Sequence, residues 1–234
     1  MSKGKAARRK VVFLFDVDNT LLNNDQVTVD LQKHLAKEVG AIGAKHYWTL
    51  FEELRRQLGY ADYLGALQRY RLKYPHDLRL LTVSRFLIDY PFANRLFANS
   101  LDAVKHVQRW GTAALLSDGD VVFQPRKVHR SGLYEAVNGH VMIYVHKEHE
   151  LTDVASRHPA EHYVMLDDKL RILAAMKKIW GKRLTTIFVR QGHYAVDPNV
   201  VASSPPADMT LERIGDLLNY NLRDLLAAAH GSVP

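Results

Sequence analysis

Apolar residues fall into two kinds of pattern along this chain. Five short runs, Lys10–Phe15, Thr112–Leu116, His140–Val145, His162–Leu166 and Leu184–Arg190, are rich in Val, Ile, Leu, Phe or Tyr, and several lack the alternation of a half-exposed strand. They predict strands buried on both faces. Stretches with helical spacing, Val121–Ser131, Glu148–Arg157 and Lys169–Trp180, lie between the last four runs. Strand, helix, strand at that rhythm predicts an α/β fold with a parallel sheet and right-handed crossovers. A Pro/Ser-rich connector, Asp197–Pro206, then leads to a predicted closing helix from Leu211 to about Ala228.

The interval after the first run differs. From Asn23 to about Asn99 the apolar positions recur at helical spacing: Leu31, Leu35 and Val39 every four residues, Leu50, Leu54 and Leu58 likewise, then Phe86, Leu87 and Tyr90. A helical block of about 75 residues is too long for an ordinary crossover. It predicts an inserted helical module at 23–99, dividing the α/β core into 10–22 and 100–234.

Composition narrows the class. There is no cysteine, which excludes a disulfide scaffold and a cysteine-ligated metal. No apolar run approaches the roughly 20 residues that span a bilayer, and Val11–Phe15 is too short for the core of a secretion signal. A cytoplasmic location and no membrane partner are therefore expected. Of the net charge of +7, five charges (Lys3, Lys5, Arg8, Arg9 and Lys10) sit in the first ten residues, which contain no acid. The tail at 1–9 is expected to be a solvated terminus, with weak nucleic-acid contact its alternative.

The chemistry collects where strands stop. The first ends in Asp16-Val17-Asp18-Asn19-Thr20, and the carboxyl ends of strands in an open α/β sheet face the ligand crevice. Two acids one residue apart repel unless a cation lies between them or one is protonated, and Mg²⁺ is the natural hard cation for such oxygens. Turn and cap chemistry is the other reading of Asp-x-Asp-Asn. The second strand ends in Ser117-Asp118-Gly119, a hydroxyl beside a turn suited to phosphate. The third delivers Lys147, and the fourth Asp167 and Asp168. Lys127 and Arg126 are rival cations, ranked below Lys147 because they do not follow a strand.

With these four strand ends, the sequence resembles the haloacid dehalogenase superfamily over nearly its whole length. Asp16-Val17-Asp18-Asn19-Thr20 is similar to the family's first motif, Asp-x-Asp-x-Thr; Ser117, Lys147 and Asp167-Asp168 resemble the second, third and fourth. The resemblance implies a Rossmann-like core with a helical cap of the first type at 23–99. It implies that Asp16 is the nucleophile that forms an aspartyl-phosphate and that Asp18 protonates the leaving oxygen and then activates water. Ser117 would bind phosphoryl oxygens and Lys147 would offset charge. Mg²⁺ would be held by Asp16, the main-chain carbonyl of Asp18, and Asp167, with Asp168 assisting. Dehalogenating members typically lack the second acid, so Asp18 points to a phosphatase acting on a small phosphorylated metabolite. A phosphomutase, or a binding protein that has lost turnover, is the alternative. The cap would hinge at Asn23–Asp25 and Asn94–Ser100. Of its cations Arg55, Arg56, Arg69, Arg71, Lys73, Arg79 and Arg85, one or two are expected to reach substrate.

Overall fold

The computed structural model describes residues 9–229. The basic tail lies outside them, apart from Arg9, which opens the first strand. In chain order the elements are β1 (Arg9–Phe15), α1 (Asn24–Leu58), α2 (Tyr63–Lys73), α3 (Leu80–Asp89), α4 (Ser100–Gln108), β2 (Thr112–Asp118), α5 (Phe123–Arg130), α6 (Leu133–Ala136) and β3 (Val141–Tyr144). They continue with α7 (Leu151–Arg157), β4 (Ala160–Asp167), α8 (Leu170–Trp180), β5 (Leu184–Val189), α9 (Gly192–Val196), α10 (Pro198–Ala202), β6 (Met209–Leu211) and α11 (Leu222–Ala228).

All pairings in the sheet are parallel, in the order β3-β2-β1-β4-β5-β6. The chain winds outward from β1 to β3, then returns to the other side of β1 for β4, so the strand order reverses at β1. Such a switch point opens a crevice at the carboxyl ends of the strands. β1 feeds two cores in alternation: Val11, Phe13 and Phe15 point into one, Val12 and Leu14 into the other. Burial on both faces explains the apolar runs of β1 and β2 and the complete burial of β5, its Thr185 and Thr186 included. Only Met142 of β3 is buried, because this strand forms the sheet edge.

The first core extends into the inserted helices. Val27, Leu31, Leu35, Tyr47, Phe51 and Leu54 of α1 join Ala66 and Tyr70 of α2 and Val83 and Leu87 of α3 in one cluster with Phe13, Phe15 and Phe123. The four-residue apolar spacing is the buried stripe of α1, which kinks at Gly40. Asn23 caps this helix by accepting the Gln26 N–H at 2.9 Å. Gly59 ends it in the left-handed region (φ 81°), where a Cβ would stand 2.6 Å from Cε1 of His146. The segments entering and leaving the helical layer run side by side: Asn23 N–H donates to Arg95 O (2.7 Å), Phe97 N–H to Leu21 O (3.0 Å) and Ser100 Oγ to Leu21 O (2.7 Å).

The predicted closing helix is corrected. Its first residue ends β6, a 3₁₀ turn covers Ile214–Asn219, and only Leu222–Ala228 is α-helical. Asn221 restarts the helix, its side chain accepting from Arg223 and Asp224 N–H while Asp224 accepts from Asn221 N–H. Among the described residues no helix is long and apolar enough to cross a membrane.

Candidate active site

Asp16 immediately follows β1 and is anchored by its N–H on Leu166 O of β4 (2.9 Å). Its carboxylate is buried, and Oδ1 accepts from Lys147 Nζ at 2.5 Å. Lys147 lies three residues beyond β3, fully enclosed, with Nζ also 2.7 Å from Asp167 Oδ2 and 3.2 Å from Leu116 O. Its main-chain N–H donates to Asp118 Oδ1 at 2.8 Å, which pins the loop after β3 to the end of β2. Burial opposes the charge of Lys147, but the carboxylates of Asp16, Asp167 and Asp118 outweigh that and push its pKa up. Lys147 is therefore a permanent cation between two acids.

Asp167 ends β4 and Asp168 follows it. Asp167 Oδ1 accepts the Lys169 N–H (2.8 Å), whereas both oxygens of Asp168 and Oδ2 of Asp16 are buried without a hydrogen-bond partner. Burial raises the pKa of both Asp167 and Asp168, of Asp168 most. Candidate ligand atoms of Asp16, Asp167 and Asp168 lie within 4.8 Å of one another. Orphaned carboxylate oxygens facing each other are costly, and a hard divalent cation satisfies them. These residues fit Mg²⁺.

Asp18 stands outside that group. The chain turns tightly after Asp16, with Leu21 and Leu22 N–H both donating to Val17 O (3.0 and 2.9 Å) and Asn19 in the left-handed region (φ 61°). Gly192 lies against that turn, where a Cβ would be 2.4 Å from Cβ of Asn19. The Asp18 carboxylate is held by Lys127, whose Nζ donates to Oδ1 at 2.6 Å and Oδ2 at 2.8 Å. Ser117 is buried at the end of β2, and its Oγ accepts from Gln124 Nε2 at 2.9 Å. The structure thus brings Asp16, Lys147, Asp167 and Asp168 together, with Asp18 in the turn after β1 and Ser117 at the end of the neighbouring β2.

Lys147, ranked first in sequence, pairs with Asp16 and Asp167, while Lys127, ranked below it, also reaches the site and pairs with Asp18. The signal of Lys127 was present in the sequence, since Phe123, Lys127 and Val128 share one helical face and a lysine on an apolar stripe needs a buried partner. Lys169, directly after the acid pair, also lines the cleft, with Nζ 5.6 Å from the Tyr194 ring centre. Arg126 is elsewhere, donating to Ile88 O at 2.9 Å. The cleft encloses about 610 Å³ between the strand ends and the inserted helices, with Trp48, Arg55, Tyr60, Lys169 and Tyr194 on its walls. Arg55 is the cap cation that reaches it. Arg69, Arg79 and Arg85 pair with Gln57, Asp77 and Asp89 instead.

No protein-family model and no curated protein matches the sequence. Among solved structures, one described as a haloacid dehalogenase-like hydrolase from Burkholderia xenovorans LB400 is 61% identical, with a TM-score of 0.88, over 91% of this chain and 99% of that one. The chain belongs to the haloacid dehalogenase-like hydrolases. The fold of this hydrolase is shared more distantly by YfnB from Bacillus subtilis, described as a HAD-hydrolase bound to magnesium (19% identity, TM-score 0.63, 91% and 100% of the two chains). It is shared also by an L-2-haloacid dehalogenase from Xanthobacter autotrophicus with chloropropionic acid covalently bound (16%, 0.58, 90% and 97%).

Proposed function

We propose that this hydrolase is a Mg²⁺-dependent phosphatase that cleaves a small phosphorylated metabolite through an aspartyl-phosphate on Asp16. The observation that carries the reading is the division of labour among the acids: Asp16, Asp167 and Asp168 form a cation-shaped group, while Asp18 is kept apart on its own lysine. A proton donor beside the nucleophile is needed when the leaving group is an alkoxide, and halide departs without one.

In the first half-reaction a carboxylate oxygen of Asp16 attacks phosphorus and the bond to the leaving oxygen breaks, with Asp18 delivering the proton that makes it an alcohol. In the second, Asp18 takes a proton from water, the water oxygen bonds to phosphorus, and the bond to Asp16 breaks. Ser117 and nearby N–H groups bind phosphoryl oxygens, and Lys147 offsets charge shared by the phosphoryl group and Asp16. Asp16, the Asp18 carbonyl and Asp167, with Asp168 beside them, would hold Mg²⁺, which would neutralise charge on the phosphoryl oxygens.

Phosphate release from an aryl phosphate tests the reading. Turnover is expected with Mg²⁺, none with excess chelator, and a loss of several orders of magnitude in Asp16→Asn at unchanged thermal melting. Turnover persisting in chelator, or within tenfold of wild type in Asp16→Asn, contradicts it.

A further inference from the structure

Lys127 is a buried ammonium that the reaction scheme above leaves without a task. It lies on the inner face of α5 with Phe123, Gln124 and Val128, and its side chain is 1% exposed. All three ammonium protons have acceptors: Asp18 Oδ1 (2.6 Å), Asp18 Oδ2 (2.8 Å) and Asn24 Oδ1 (3.0 Å). Asn24 is the first residue of α1, and its amide leans on the Tyr63 hydroxyl (3.5 Å), which meets Thr28 Oγ1 at 2.8 Å. Burying a cation is costly even when it is paired, and an apolar side chain would fill the same space more cheaply. The position is therefore better explained by what the ammonium does to Asp18 than by packing.

What Asp18 lacks is a fixed orientation of its own. It belongs to the turn after β1, outside the regular strand, and its side chain is 27% exposed to the cleft. Without a partner, a short carboxylate there would be free to turn between the cleft floor and water. We infer that Lys127 is a positioning residue for Asp18, locking the carboxylate through both oxygens and tying it to Asn24 at the root of the helical layer. The inference rests on the reading of Asp18 as the acid–base group. Each oxygen spends one lone pair on Lys127 and keeps another for the leaving group or water. The clamp thus orients the carboxylate without blocking it. Because Asn24 starts α1, the orientation of the acid and the seating of the cap's first helix form one hydrogen-bonded unit.

Lys127→Met keeps length and apolar volume while removing the three donors. With an alkyl phosphate, kcat is expected to fall about 10- to 100-fold, with KM within about threefold, since misorientation penalises the transition state more than binding. In an Asp18→Asn background the same substitution is expected to cost less than about twofold, because the group it orients is gone. A kcat within threefold of wild type, or an equal fractional loss in both backgrounds, overturns the positioning role. If Lys127→Met does not fold, Asn24→Ala removes only the anchor. Its kcat is expected to drop about three- to tenfold at constant KM, and a wild-type kcat overturns the inference. Asp16→Asn is run beside these variants. Turnover that survives it contradicts the aspartyl-phosphate reading, while Lys127 is still judged by the cycle with Asp18. A wild-type protein that hydrolyses no phosphate ester contradicts both.

Discussion

Two acids separated by a single residue meet different cations. Asp16 is enclosed and shares Lys147 with Asp167, which leaves one oxygen free beside the unpartnered oxygens of Asp168. Asp18 faces the cleft with its own lysine. If Asp18 gives the leaving group its proton and later takes one from water, Asp18→Asn separates the two half-reactions. With an aryl phosphate, whose phenolate departs unaided, the variant should release about one equivalent of phenol per site in a burst and then turn over about 10²- to 10⁴-fold more slowly than wild type. With an alkyl phosphate no burst is expected. Rapid-quench kinetics on both esters reads this directly, and the absence of a burst with the aryl ester contradicts the two roles of Asp18.

At the scale of elements, the helical layer is held at its root by a polar knot. Asp30 of α1 accepts from Tyr90 Oη after α3, from Arg95 Nη2 at 2.6 Å and, through Oδ1, from Gln26 Nε2 at 2.9 Å. Burial opposes the charge of Asp30, but the hydrogen bonds from Tyr90, Arg95 and Gln26 together hold its pKa below the usual value. Burial and the neighbouring Asp30 push the Tyr90 hydroxyl up to about 12. A carboxylate with a depressed folded pKa contributes stability above its ordinary value of about 3.9 and loses that contribution as pH falls through the folded value. Asp30→Asn should therefore cost about 1–2 kcal/mol at pH 7. That deficit should shrink in strong acid, as read by thermal melting of both proteins at each pH; a deficit that stays constant contradicts the ionic part of the knot. The same scale shows why parts of this fold were legible in sequence. Central parallel strands advertise themselves as apolar runs, and their ends carried Asp16, Ser117 and Asp167, while Lys147 follows the edge strand β3. β6 is three residues long, pairs only with β5 and leaves Thr210 exposed, so it lacks such a run. The apolar spacing of Ile214, Leu217, Leu222 and Leu225 imitates one helix, although Asn221 and Asp224 spell a new start. The site was legible as strand ends but not as pairings, because the partner of Asp18 arrives from a helix 109 residues later in the sequence.

Across the whole molecule, the sheet reverses its winding at β1, places the four strand ends around one crevice and roofs it with helices whose core is continuous with its own. The roof is closed at two sides, where His146 lies against Gly59 and where His193 Nδ1 meets Asp25 Oδ1 at 2.6 Å. On the proposed reading, a roof over the cleft would protect an acyl phosphate from stray water. The proposed chemistry rests on one covalent bond. The direct test is to quench wild-type enzyme in acid during turnover of an alkyl phosphate, reduce any acyl phosphate with borohydride, and sequence the peptide spanning Lys10–Leu22 by mass spectrometry. The account predicts reduction at Asp16 alone, dependent on substrate and absent from Asp16→Asn. An unmodified Asp16 in enzyme that is releasing phosphate, or reduction at Asp18 in its place, would contradict it.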